Sequence, residues 1–94
     1  MGDLFEWDPA KASSNLEKHA VSFEEAQSVF LDTTSLTIPD PLHSNGEQRF
    51  ITIGISVMGT VLVVVHTDRD DRIRLISARR ANRRERKVYE QNNG

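Results

Sequence analysis

The amino-acid pattern predicts an α+β fold in the order α-α-β-β-β-β-α, an antiparallel sheet packed with helices. Three observations carry this reading. Two helix-start signals fall within the first 25 residues, β-prone segments separated by short polar turns fill 34–78, and an Arg- and Glu-rich stretch of helical composition follows.

The elements follow in order. In Trp7-Asp8-Pro9, Asp8 can cap free amides and Pro9 suits the first helical position, so a helix is predicted from Pro9 to about His19. Ser22-Phe23-Glu24-Glu25 is a capping box, and Phe23, Ala26, Val29 and Phe30 repeat behind it at helical spacing. A β-prone stretch, Thr34 to Ile38, is closed by Pro39-Asp40-Pro41, and His43-Ser44-Asn45-Gly46 reads as a turn. Phe50 to Val57 alternates as a strand, and Met58-Gly59 turns the chain. Thr60 to Thr67 is apolar on both faces, as a central strand would be. Asp68 to Asp71 makes a polar turn, Arg72 to Ala78 the last strand, and Arg80 to about Gln91 a helix opened by no strong cap. The apolar run in the central strand hides its register, so periodicity does not say which face His66 shares with Arg74 or Arg79.

Composition narrows the function classes. With 94 residues, one domain spanning 1–94 is expected, and 37 % apolar against 28 % charged residues is a globular rather than a disordered balance. The longest uninterrupted apolar run, Val61 to Val65, is too short to cross a bilayer, and Asp3, Glu6 and Asp8 stand where a signal peptide would be apolar. The absence of cysteine excludes disulfides and thiolate metal sites; no cofactor, no metal and a cytoplasmic location are expected. The net charge of −2 conceals an asymmetry: residues 1–48 carry two lysines against nine acids, whereas 49–94 carry ten basic residues against five acids. Within 72–87, eight basic residues face Glu85 alone. Such a segment can neutralise phosphates, or it can be a solvated helix face.

Several fragments share one pattern: Phe5-Glu6-Trp7-Asp8-Pro9-Ala10-Lys11, Asn15-Leu16, Lys18-His19, and Val21-Ser22-Phe23-Glu24-Glu25-Ala26. With them go Gly46-Glu47-x-Arg49, His66-Thr67-x-Arg69, Arg74-x-Ile76-Ser77-Ala78-Arg79-Arg80-Ala81, and Arg84-Glu85-Arg86 with Tyr89. Together, in order and at compatible spacing from Phe5 to Tyr89, they resemble the BrnT family of toxins. Ala20 departs from the pattern, which has Gly after Lys-His to end the helix in the left-handed conformation. The resemblance implies a RelE-like fold, RNA cleavage that arrests translation, and neutralisation by a BrnA-like antitoxin in a complex with two copies of each. Contact with DNA would then come only through the antitoxin, and none with membranes.

RNA cleavage without metal needs a base for the ribose 2′-hydroxyl, an acid for the leaving 5′-oxygen, and cations for the developing charge. The candidate catalytic residues are Arg79 as phosphate-binding cation, Glu85 as base, Tyr89 as donor or acid, and His66, whose imidazole suits proton transfer near neutrality. Candidate RNA contacts are Arg49, Arg69, Arg74, Arg80, Arg83, Arg84, Arg86 and Lys87. Each has a structural counterpart. Glu85 among arginines is also an ion-pair partner, Tyr89 a packing ring, His66 a satisfied core histidine, Trp7 a packing anchor, and Lys18 and His19 helix C-terminal charges. Two other functions account for the basic segment: a module that binds nucleic acid or co-represses without cutting, and a structural partner whose Arg-rich helix docks an acidic protein.

Overall fold

Both helix starts form where the capping residues stand. In the computed structural model, which describes residues 4–43 and 46–93, Asp8 accepts the Ala10 N–H at 2.9 Å and opens α1 (Pro9–His19). Ser22 Oγ accepts the Glu25 N–H at 3.0 Å and opens α2 (Phe23–Ser28), which tightens into a 3-10 turn at Val29–Leu31. Helix α1 ends at Ala20, whose N–H reaches the Leu16 carbonyl and whose φ of 57° lies in the left-handed region.

Among the described residues five strands form one sheet: β1 (Phe5–Glu6), β2 (Leu36–Pro39), β3 (Arg49–Ile55), β4 (Val61–Arg69) and β5 (Arg72–Arg80), in the spatial order β1-β5-β4-β3-β2. The four predicted strands pair antiparallel. The fifth, β1, was not expected: it adds parallel to β5 at Ile73 and Arg74, and two residues carry no readable alternation. Between β4 and β5 the loop is Asp70-Asp71, both at positive φ (50° and 67°), the combination that matches the twist of a two-residue hairpin. Of the turn expected at 43–46, Ser44 and Asn45 lie outside the described residues. β5 runs on to Arg80, two residues beyond the predicted end, and α3 (Arg83–Asn93) begins three residues later than expected.

Alternation splits the sheet into two faces. On one, Leu62, Val64, Leu75 and Ala78 meet Val21, Phe23, Ala26 and Val29 beneath α1 and α2, and all eight are essentially sealed from water. Burying side chains of this kind contributes about 1.5–3 kcal/mol each for the larger ones. On the other, Ile53 and Val63 meet Ala81 and Tyr89, the single aromatic ring α3 lays on the sheet. Gly54 permits the close approach that joins β3 to the 3-10 turn, since a Cβ there would stand 2.8 Å from Val29 Cγ1 and 2.9 Å from Ser35 Cβ.

Where β1 stops, Asn15 takes over its ladder. Its buried amide donates to the carbonyls of Val21 (3.0 Å) and Ala78 (2.8 Å) and accepts the Ala78 N–H at 3.0 Å. Backbone groups of β5 that would otherwise be orphaned are thereby satisfied, and the strand is pinned immediately before Arg79.

Candidate functional site

The less-covered face carries a groove of about 300 Å³ lined by Asp40, Arg49, Ile51, Val63, Val65, Ile76, Ser77 and Arg79. Its shape follows from an irregularity in β5. The pairs Val65↔Ser77 and His66↔Leu75 leave Ile76 as an extra residue. That bulge lets Leu75 and Ala78 both face the helix-covered core while Ile76 and Ser77 both line the groove. A more open cleft of about 420 Å³ at Pro39, Pro41 and 46–48 has, among the described residues, Glu47 as its one charged lining residue, so it suits a phosphate poorly.

Arg79 and Arg49 supply the positive charge of the groove. Arg79 sits opposite Val63 near the end of β5 and is held by Glu85 in a two-pronged pair, Nη1–Oε1 and Nη2–Oε2 both at 2.8 Å. Glu85 has a second task. Its Oε1 accepts the Asn82 N–H at 2.9 Å, while Asn82 Oδ1 accepts the Glu85 N–H at 2.8 Å. This reciprocal capping box starts α3, where no strong cap was expected; the Asn-x-x-Glu spacing was the signal that sequence reasoning passed over. The Arg79 hydrogen bond holds the Glu85 carboxyl below its usual range, against the opposing effect of burial. The same bond raises the Arg79 pKa. Glu85 is therefore a charged, fully engaged carboxylate and a weak proton acceptor.

Tyr89 shares a helix face with Glu85, yet its hydroxyl is spent elsewhere. It donates to Asp32 Oδ2 at 2.6 Å and lies 3.1 Å from Thr34 Oγ1. Burial first, then Asp32, raises the Tyr89 pKa. Asp32 also accepts from Ile55 N–H (2.9 Å) and from the Thr34 N–H and hydroxyl (3.0 and 2.7 Å). Burial opposes its ionisation, but these donors outweigh it and hold the carboxyl at about 2.

His66 falls on the opposite, helix-covered face. Its Nε2 is 2.7 Å from Thr52 Oγ1, with Phe30 edge-on at 5.0 Å and Phe50 stacked at 5.8 Å. Burial lowers its pKa and so favours the neutral ring, against the opposing pull of the Asp68 carboxylate. Central-strand alternation thus separates His66 from Arg79, the point the apolar run could not decide.

The remaining candidate cations spread over three places. Arg49 lines the groove. Arg69 pairs with Glu47 at 3.5 Å, and Arg74, which stands across Thr67 from Arg49, pairs with Glu6 at 3.2 Å. Arg80, Arg83, Arg84, Arg86 and Lys87 are exposed on the end of β5 and around α3, Arg86 donating to the Ala81 carbonyl at 3.0 Å. Asp40 and Ser77 line the groove without having been singled out as functional by the sequence. Among the described residues no group of three or more His, Asp or Glu is placed to hold a metal ion.

Against this geometry, a model of the family described as the ribonuclease toxin BrnT of type II toxin–antitoxin systems matches residues 7–85. The fold is similar to the 1.1 Å crystal structure of the Brucella abortus ribonuclease toxin BrnT, with a TM-score of 0.66 over 84 % of this chain and 96 % of that one. At 20 % identity that likeness is one of fold. No curated protein matches the sequence.

Proposed function

The chain belongs to the BrnT family of ribonuclease toxins of type II toxin–antitoxin systems, and on that premise we propose that it cuts RNA without a metal ion at the groove around Arg79. The 2′-hydroxyl attacks the neighbouring phosphate, and the guanidiniums of Arg79 and Arg49 stabilise the charge that develops on the phosphate oxygens. Glu85 is a positioning residue that sets the Arg79 fork. Tyr89 and His66 act through the packing of α3 and of the helix-covered core. The exposed cations around α3 draw in the RNA backbone.

The observation that supports this reading is the Arg79–Glu85 pair at the end of β5, which presents a pre-oriented guanidinium to a groove that also holds Arg49. In the cell such an activity arrests translation in the cytoplasm and is neutralised by a BrnA-like antitoxin. A complex with two copies of each protein would reach DNA only through the antitoxin.

Purified protein incubated with RNA, with and without EDTA, tests the proposal beside Arg79→Ala. Cleavage that survives EDTA and is lost in the variant is expected. RNA binding without cutting would return the chain to a non-catalytic module. A positioning role for Glu85 further requires that Glu85→Gln slow cleavage less than Arg79→Ala does; equal losses would make Glu85 the base.

A further inference from the structure

We infer that the Ser77 hydroxyl donates a hydrogen bond to a non-bridging oxygen of the scissile phosphate beside Arg79, an inference that rests on the ribonuclease reading above. As the 2′-oxygen bonds to phosphorus, negative charge grows on both non-bridging oxygens, and a donor already in place stabilises it. A guanidinium has five N–H donors. Arg79 gives two to Glu85 and points a third at the Arg80 carbonyl, 3.4 Å away. The rest of the phosphate's demand falls on other groups. Among the groove's described lining residues the one hydroxyl is that of Ser77.

The backbone puts that hydroxyl beside Arg79. Ile76, the extra residue of the β5 bulge, shifts the strand's alternation so that Ser77 turns to the groove. Ser77 then pairs with Val65 and Arg79 with Val63, so both stand over one apolar floor, two residues and about 6.6 Å apart along the strand. Ala78, between them, is held from the opposite face: the Asn15 side chain accepts its N–H at 3.0 Å and donates to its carbonyl at 2.8 Å. Ser77 and Arg79 are therefore fixed relative to each other before RNA arrives, the condition under which a donor acts on developing charge without reorganising. The Ser77 hydroxyl forms no hydrogen bond with any described residue, so it turns to a phosphate oxygen without breaking a contact.

Ser77 keeps its proton throughout. No bond to it forms or breaks, and its hydrogen bond strengthens as the phosphate oxygens gain charge. Because the hydroxyl is neutral, it adds little to the attraction between the basic surface and RNA, which the exposed cations supply. Its loss should therefore appear in kcat rather than in KM.

The test uses the full chain with an oligonucleotide of 2′-O-methyl ribonucleotides that carries one free 2′-hydroxyl, so that one phosphate can be cut. Two further substrates are its phosphorothioate diastereomers, in each of which sulfur replaces one non-bridging oxygen of that phosphate. Ser77→Ala is expected to lower kcat by about a hundredfold at unchanged KM, the low end for loss of one such donor. Sulfur accepts hydrogen bonds poorly, so the parent should cut more slowly the diastereomer whose sulfur meets Ser77. In Ser77→Ala that penalty should largely vanish, whereas loss of a merely structural contact would leave it in place. Ser77→Thr, which keeps a hydroxyl, should regain most of the rate. Should Ser77→Ala melt early, the sulfur penalties still decide, because each is a ratio of rates within one protein. Penalties unchanged at both oxygens in Ser77→Ala, or a kcat within about threefold of the parent, overturn the assignment of Ser77 and leave the ribonuclease reading intact. A parent that cuts no RNA overturns both.

Discussion

Along β4, neighbouring residues serve opposite ends. Leu62 and Val64 press into the core under α1 and α2, where even the polar groups His66 and Asn15 are enclosed. Val63 and Val65, one step out of phase, floor the groove that holds Arg49 and Arg79. The first face closes because α2, the turn before it and the 3-10 turn after it bring four apolar residues, Val21, Phe23, Ala26 and Val29, to it. The second stays partly open because α3 adds one ring, Tyr89, and is otherwise, apart from the exposed Val88, a surface of charged and polar side chains. If the proposed site is right, the same strands separate stability from chemistry, and substitutions on the two faces should fail in different assays.

The largest effects should divide cleanly. Phe23→Ala removes a fully buried ring from the helix-covered core and should lower stability by about 3–5 kcal/mol, most of what a small domain possesses. Urea melts would show it, and any surviving folded fraction should cleave at the parent rate. Arg79→Ala should do the reverse: removing a transition-state contact costs about 3–4 kcal/mol in the barrier, roughly a hundred- to a thousandfold in rate. Its partly exposed ion pair contributes less than about 1 kcal/mol to folding. A melt shifted as far as that of Phe23→Ala would break the comparison.

The Tyr89–Asp32 contact is the seam between the faces, because it ties α3 to the turn after Leu31 and to β3. Tyr89→Phe keeps the ring and deletes only the hydroxyl; loss of a hydrogen bond to a charged group should cost about 1.5–3 kcal/mol. The same seam predicts a pH dependence. Asp32 has a folded-state pKa of about 2, below its ordinary value of 3.8. Its contribution is therefore complete above about pH 4 and disappears as the pH falls through about 2. Thermal melts across that window should show a steeper acid limb for the parent than for Asp32→Asn; superimposable limbs would remove Asp32 from the account.

Local signals were the legible ones. Asp8 with Pro9, Ser22 with Glu25, and the polar turn at 68–71 act over a few residues, so three helices and four strands could be placed from them. The BrnT pattern was likewise carried by short fragments in order. What stayed hidden depends on pairing across the chain. β1 exists only because β5 offers an edge to it. Tyr89 meets an aspartate 57 residues away. The bulge at Ile76 decides which side chains enter the groove, and a strand apolar on both faces gave no phase by which to separate His66 from Arg79. Asp40 looked like part of a strand ending because Pro39-Asp40-Pro41 is a breaker first, and only the fold brings it beside Arg49.

The smallest predicted effect sharpens the comparison most directly, because it should move stability alone and upward. Ala20 closes α1 at φ 57° and ψ 30°, a conformation that crowds the Cβ of an L-residue against its own backbone. Glycine has no Cβ to crowd and is the usual residue at such a helix end. Ala20→Gly should therefore stabilise the chain by about 1 kcal/mol, a rise in Tm of about 4–8 °C for a domain of this size. The gain is net of the greater freedom glycine has when unfolded, so a smaller rise would mean that entropy offsets most of the relieved strain. Ala20 belongs to the helix-covered side and lines no part of the groove, so kcat and KM for RNA should not change. A variant that melts higher and cuts at the parent rate would show the two faces to be energetically separate. One that melts higher but cuts more slowly would mean that tightening α1, and through Asn15 the strand before Arg79, is felt in the groove.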